Sequence, residues 1–401
     1  MTRARTQNQT HPVRARTRTQ VALDSFNAVL VGRQHTGQAL MCALLGRQHA
    51  FLLGEPGGGK SKAIRAIAGL ISGVNVFSIT LDGATSKADV WGLPSGKSYI
   101  EEDVLRYNLN GRLGTARIAL VDEFFRGRQV TATMLEALAD RTFTQAGETI
   151  RLPLDSFIGG GNDAPDDEQY AAVIDRFDVR LPMRNLTAQE EMTVLTRLRT
   201  QPKITPVMTA VDLTALQQTV ANMELDTEMR EHVHAIMMHA RTMGLFVSTR
   251  RMLAGYQMVC ATAVHNGIVP DESCLESLAD IFVPLTSGAA HTKFNRALRE
   301  FIGQRVNKTL WDAKIMREEL ITRFERLPPN PVMLSTQERK NAVQAALDIQ
   351  QSADRDLRSI AKVLADAPAA ASWKQGVEVV QQDIGTVAQD IVVYIMGASA
   401  L

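Results

Sequence analysis

At 401 residues the chain is too long for one compact core, and two or three domains are expected. With 45% hydrophobic and 22% charged residues it has the composition of a globular protein, and no apolar run approaches the roughly 20 residues that span a bilayer. The formal net charge is only +1, but residues 1–20 carry Arg3, Arg5, Arg14, Arg16 and Arg18 and no acid.

An arm so polar cannot bury apolar surface, so residues 1–23 are expected to be disordered. Such an arm suits a solubilising tail or a contact with nucleic acid; no aromatic residue interleaves the arginines, so base stacking has no support. The N-terminus lacks the apolar core of a signal peptide, which predicts a cytoplasmic protein. Cys42, Cys260 and Cys274 lie far apart without metal-ligand spacing, as buried free thiols of a reducing compartment would.

The folded part begins near Asp24, with a helical lead-in over 25–46 that contains Val29-Leu30-Val31-Gly32-Arg33. Ala50-Phe51-Leu52-Leu53 is a short apolar run ending in glycine, as a buried parallel strand does. Lys62 to Ile71 follows with Ile64, Ile67, Ala68 and Ile71 at helical spacing. Further apolar runs at Val74–Leu81, Ile118–Val121, Phe157–Gly159 and Val179–Leu181 alternate with helical stretches. That alternation predicts an α/β module, a parallel five-stranded sheet with helices on both faces, over 24–186. Within it, Ala146-Gly147-Glu148 separates two β-prone segments between Arg141 and Leu154, a hairpin signal. From Thr187 the strand signals stop. Residues 187–290 read as an all-α lid, with amphipathic stretches at Met229–Met243 and Arg250–Ala263. Residues 291–401 read as a C-terminal helical region, broken at Pro328-Pro329, Pro331 and Pro368.

Chemistry concentrates where strands end. Gly54-Glu55-Pro56-Gly57-Gly58-Gly59-Lys60-Ser61 fits the pattern G-x-x-x-x-G-K-[ST], with a strand before it and a helix after it. Glycines let backbone N–H groups approach phosphates, and the helix that follows turns its positive end toward them. Lys60 is expected to reach the β- and γ-phosphates of ATP, and the Ser61 hydroxyl to ligate Mg2+. Asp122-Glu123 emerge at the C-terminal end of Ile118–Val121, the edge where ligands of open α/β sheets bind. There Asp122 suits the Mg2+ shell and Glu123 suits polarising a water for attack on the γ-phosphate. Asn162, after Phe157-Ile158-Gly159-Gly160-Gly161, is placed either to orient that water or simply to make a turn. Arg176, in Asp175-Arg176-Phe177-Asp178, and Arg250, in Ser248-Thr249-Arg250-Arg251, are candidates to stabilise charge on a transferring phosphoryl group; local ion pairing is the plainer alternative for both.

Together these residues resemble the AAA+ ATPases of the MoxR group, most closely its RavA-like branch, over roughly 26–290. Val31-Gly32-Arg33 resembles the lead-in that borders the adenine pocket, Gly54–Ser61 the Walker A loop and Asp122-Glu123 the Walker B pair. Asn162 stands at the sensor 1 position, although glycines precede it where the family usually has alanine. Tyr107 to Leu113 resembles the close of the helix-2 insert, Met134 to Arg141 the next helix, and Ser248-Thr249-Arg250-Arg251 sensor 2. Asp175-Arg176-Phe177 is similar to the motif that carries the arginine finger. The resemblance implies a homo-hexameric ring with ATP between subunits and Arg176 acting on the neighbour's nucleotide. It also implies chaperone-like remodelling of a protein client, often one with a von Willebrand factor A domain. The competing expectation is a nucleic-acid-associated AAA+ motor of helicase type, served by the basic arm and by Arg106 and Arg112 in a pore loop.

Overall fold

Each of the five apolar runs forms a strand, and the five make one parallel sheet. The computed structural model describes residues 17–162, 173–197, 202–284, 289–306, 308–328, 334–366 and 374–399. In chain order, helix α1 (Arg18–Val29) and helix α2 (Gln34–Leu45) lead into β1 (Ala50–Leu53) and α3 (Lys60–Gly69). A two-residue strand β2 (Ile71–Ser72) precedes β3 (Val76–Thr80), the short helices α4 (Lys87–Trp91) and α5 (Gly96–Glu102), and β4 (Ile118–Asp122). Helices α6 (Arg128–Thr133) and α7 (Leu135–Asp140), the hairpin β5 (Thr142–Gln145) and β6 (Glu148–Arg151), β7 (Ser156–Gly161) and β8 (Val179–Pro182) complete the module. The sheet order is β3-β4-β7-β1-β8 with every pairing parallel, so β1 is flanked by β7 and β8.

Strand alternation divides the interior. Ala50 and Leu52 face one layer, with α1, α2, α3 and the helices that follow the sheet. Phe51 and Leu53 face the other, with Trp91 of α4, Leu138 of α7 and the hairpin residue Phe143. β1 and β7 are buried on both faces, which is why they read as unbroken apolar or small runs, whereas the edge strand β3 leaves Val76, Ser78 and Thr80 exposed. An aromatic cluster anchors the second layer. Phe124 lies edge-on to Phe51, Phe157 and Phe177 at centroid distances of 6.3, 5.7 and 5.3 Å, each contact contributing about 0.5–1.5 kcal/mol.

The chain departs from the sequence expectations at its joints. Residues 18–23, expected to belong to a disordered arm, are part of helix α1: the Thr17 hydroxyl accepts from the Gln20 N–H, the Gln20 side chain accepts from the Thr17 N–H, and Ala22, Leu23 and Phe26 are buried. The rest of the expected arm, residues 1–16, lies outside the described residues. The all-α stretch after Thr187 contains a strand after all, β9 (Met208–Thr209), paired in parallel with β2; two residues are too few to show a period. The lid-like layer also reaches past residue 290. The helix Ala289–Val306 places Leu298 and Ile302 in the same core as Val259 and Leu278. A separate core joins the helices Lys308–Glu325, Thr336–Asp366 and Lys374–Ser399 through Leu320, Ile349, Ile360, Ile384 and Ile391. Among the described residues no helix is long and apolar enough to cross a membrane.

Candidate phosphate site

Five of the predicted site residues converge at the C-terminal edge of β1, β4 and β7. The loop between β1 and α3 holds Gly57 at φ +82° and Gly59 at φ +85°, a region that side chains rarely adopt, so both glycines are dictated by the turn. Lys60 opens the ten-residue helix α3, whose N-terminal N–H groups point into the loop. Lys60 is 5% exposed, and its ammonium donates to the Gly54 carbonyl at 2.6 Å, the Glu55 carbonyl at 2.8 Å and Asn162 Oδ1 at 2.8 Å. Ser61 Oγ donates to Asp122 Oδ2. A hydroxyl and a carboxylate side by side form a hard oxygen pair suited to Mg2+.

Asn162 joins the two halves of this site. While its Oδ1 accepts from Lys60, its Nδ2 donates to Glu123 Oε1 at 2.8 Å, and the other Glu123 oxygen pairs with Arg126 Nε at 3.2 Å. Glu123 has φ +52°, a left-handed conformation uncommon for a side-chain-bearing residue. Buried Phe124 next to it holds the turn, and the Glu123 N–H donates to Asp122 Oδ1 at 3.0 Å. The glycines before Asn162 are explained by contact. A Cβ on Gly159 would stand 2.8 Å from the Phe51 ring, and one on Gly160 would stand 3.0 Å from both Asp122 Oδ1 and Ile64 Cδ1. With Phe51 behind the strand, alanine does not fit there.

Two further contacts close this edge, one from the lead-in residue Arg33 and one, from Asn185, that had no clear sequence signal. Arg33, 4% exposed, donates to the Gly58 carbonyl at 2.9 Å and ties the lead-in to the loop; its burial lowers the guanidinium pKa. Asn185, just beyond β8, donates to Glu55 Oε2 at 3.0 Å. Arg126 was readable in principle, as a cation three residues after Glu123.

Arg176 and Arg250 do not join this group. The register pairs Ala50 with Val179 and Leu53 with Pro182, so Asp175–Asp178 stand at the N-terminal edge of the sheet. That edge is a strand length, about 13 Å at 3.3 Å per residue, from where Gly54 leaves β1. Arg250 faces the same edge, 3.9 Å from Asp178 Oδ1 and 3.4 Å from the Leu138 carbonyl. Burial pushes the Asp178 carboxyl up, and Arg250 counters that push. The expectation that Arg250 belongs with the catalytic set is therefore not met within one chain. Its neighbour Arg251, 1% exposed, donates to Asp175 Oδ1 at 2.9 Å and to the Ile281 carbonyl at 2.9 Å. Arg106, expected in a pore loop, is paired with Glu102 at 2.9 Å and Glu148 at 3.2 Å. Arg112 donates to the Asp89 carbonyl at 3.1 Å.

The sheet order, the loop and the paired carboxylates define an AAA+ module. Residues 17–218, just over half the chain, match the family model "MoxR domain in the MoxR-vWA-beta-propeller ternary systems", and the chain belongs to the MoxR family of AAA+ ATPases. Protein MJ0812 of Methanocaldococcus jannaschii is 25% identical over 261 residues, 65% of this chain and 69% of that protein. YeaC of Bacillus subtilis is 26% identical over 277 residues, 66% of this chain and 84% of its own length. In fold, a Cytophaga hutchinsonii protein assigned as an ATPase superposes with a TM-score of 0.57 at 17% identity, covering 72% of this chain and 94% of that one.

Proposed function

We propose that the chain hydrolyses ATP with Mg2+ and, as a ring of identical subunits, uses the energy to remodel a partner protein bearing a von Willebrand factor A domain. The observation that carries the hydrolytic part is the chain of contacts Lys60–Asn162–Glu123, with Ser61 and Asp122 alongside. The donor set fits the ligands: Gly54–Ser61 and Lys60 would hold the phosphates, and Ser61 and Asp122 would hold Mg2+, which supplies charge neutralisation at the transferring group. Glu123 takes up a proton from the attacking water, and Asn162 keeps the carboxylate aimed while bridging to Lys60.

Assembly is supported by geometry. Arg176 and Arg250 stand at the opposite edge of the sheet, where they reach phosphates only on another copy of the chain. Within the family the motifs read nearest the RavA-like branch, whereas the matching family model describes MoxR domains of vWA and β-propeller systems; the partner is inferred from the latter.

The test is the Glu123→Gln variant. Loss of the water-activating group slows turnover at least ~100-fold while ATP binding persists. Isolated with ATP, this variant retains partner protein that Lys60→Ala does not. Unchanged turnover in Glu123→Gln removes the assignment of the base. Nucleic acid in place of protein on the trapped ring removes the remodelling role.

A further inference from the structure

Far from the phosphate loop, the helix Thr227–Thr242 carries Glu228 and His232 one turn apart, on the same face. A second segment, beginning at Glu272 and capped by Asp271, brings Glu272 against them. His232 Nε2 lies 3.9 Å from Glu228 Oε1 and 4.0 Å from Glu272 Oε1, and the three ligand atoms all fall within 4.8 Å of one another. The imidazole is 13% exposed, so its ring is held by packing, while the carboxylates are open to solvent at 80% and 39%.

We propose that Glu228, His232 and Glu272 form a site for a divalent transition-metal ion of the zinc class, with a fourth position open to water. Zinc binds imidazole nitrogen and carboxylate oxygen at about 2.0–2.2 Å, which places two ligands of one tetrahedral ion about 3.4 Å apart. His232 needs to close by about half an ångström on each glutamate, and the two carboxylate oxygens, within 4.8 Å of each other, by up to about 1.4 Å, movements that rotation of the Glu228 and Glu272 side chains can supply. One nitrogen with two oxygens favours Zn2+ over Mg2+, which keeps its water shell and takes oxygen ligands alone. The ion would tie the helix Thr227–Thr242 to the segment Glu272–Leu278, which carries the buried Cys274, Leu275 and Leu278 into the same core. The site therefore acts as a clip within this helical layer, separate from the Mg2+ chemistry at Ser61 and Asp122.

The experiment is equilibrium dialysis of the full-length, chelator-treated chain against Zn2+ in millimolar Mg2+, followed by thermal unfolding with and without Zn2+. One Zn2+ per chain and a raised Tm are expected. His232→Ala and Glu272→Gln should each weaken binding at least ~10-fold and abolish the Zn2+-dependent rise in Tm. His234→Ala, an exposed imidazole two residues along the same helix, should leave both unchanged. Co2+ substituted at the site reports its coordination by visible absorption, a readout independent of stability and ATP turnover. Absence of binding at micromolar Zn2+, or binding in His232→Ala equal to the parent, overturns the site.

Discussion

Asn162 donates its side-chain amide to Glu123 at 2.8 Å while accepting from Lys60 at the same distance, so one residue couples the carboxylate to the phosphate loop. A neutral amide can do both; a carboxylate cannot donate, and an alanine does neither. Asn162→Ala is therefore expected to lower kcat about 10- to 100-fold with KM for ATP changed less than about 3-fold, because the lost contacts orient a reacting group rather than hold the nucleotide. Asn162→Asp should be at least as slow, since it sets a second negative charge against Glu123. Steady-state ATP hydrolysis by the three proteins is the measurement, and a purely raised KM would move Asn162 from orientation to binding.

The clamp between Arg251 and Asp175 fastens the helix Thr249–Asn266 to the segment that carries Arg176. Asp175 is 33% exposed, so the attraction is screened on one side. A double-mutant cycle of Arg251→Met and Asp175→Asn, read by urea unfolding, should give a coupling of about 1–2 kcal/mol. Arg251→Met alone should cost more than Asp175→Asn alone, because Arg251 also donates to the Ile281 carbonyl at 2.9 Å. A coupling near zero would mean that packing, not this pair, holds the segment.

Gly159→Ala tests the explanation for the glycines ahead of Asn162. Its Cβ would meet Phe51 Cδ2 at 2.8 Å and Phe177 Cε1 at 3.2 Å, in a layer with no slack. Overpacking of this kind costs about 1–3 kcal/mol, seen as a lower denaturant midpoint. Phe51→Leu in the same chain should recover part of the loss by vacating ring space. If Gly159→Ala is as stable as the parent, the steric account of this departure from the family pattern is wrong.

How far the sequence could be read follows from how local each feature is. The central strands were legible because a parallel strand covered on both faces must be apolar throughout, as Ala50–Leu53 and Ile118–Val121 are. Lys60, Ser61, Asp122, Glu123 and Asn162 were legible because each sits at a strand end with the residue type its position demands. What a strand end faces across the sheet is not local. Nothing near Arg250 says that it meets Asp178 at the far edge, and nothing near Gly159 says that Phe51 lies over it. The β2–β9 pairing is two residues long, and the lid-like core recruits Leu298 and Ile302 from beyond its expected end, both consequences of tertiary packing alone. That the helix Arg18–Val29 takes in residues 18–23 hangs on the capping box at Thr17, a threonine with glutamine three residues on, which the arginines around it concealed.

His265 supplies the pH prediction. It is 4% exposed near the end of the helix Thr249–Asn266, with Nδ1 2.9 Å from Thr19 Oγ1, while its backbone carbonyl accepts from Thr17 Oγ1 at 2.7 Å. Burial lowers its pKa from 6.5 to about 4, so the folded chain holds it neutral where the unfolded chain would protonate it. His49, fully buried with Arg141 and Arg250 nearby, is shifted in the same direction. Between pH 6.5 and about 4 the unfolded state binds more protons, so stability rises with pH across this window. The contribution of His265 is whole above 6.5 and lost as pH falls toward about 4; at 1.36 kcal/mol per pH unit that is about 3 kcal/mol. Urea unfolding at pH 7 and pH 5 should show the parent losing more stability on acidification than His265→Gln, whose amide can still meet Thr19 and carries no proton equilibrium. Because the joint of α1 with the helix Thr249–Asn266 is what acid loosens, the difference should be largest for amide exchange in Arg18–Val29. Equal pH dependence in the two proteins would assign the acid sensitivity to other groups, His49 first among them.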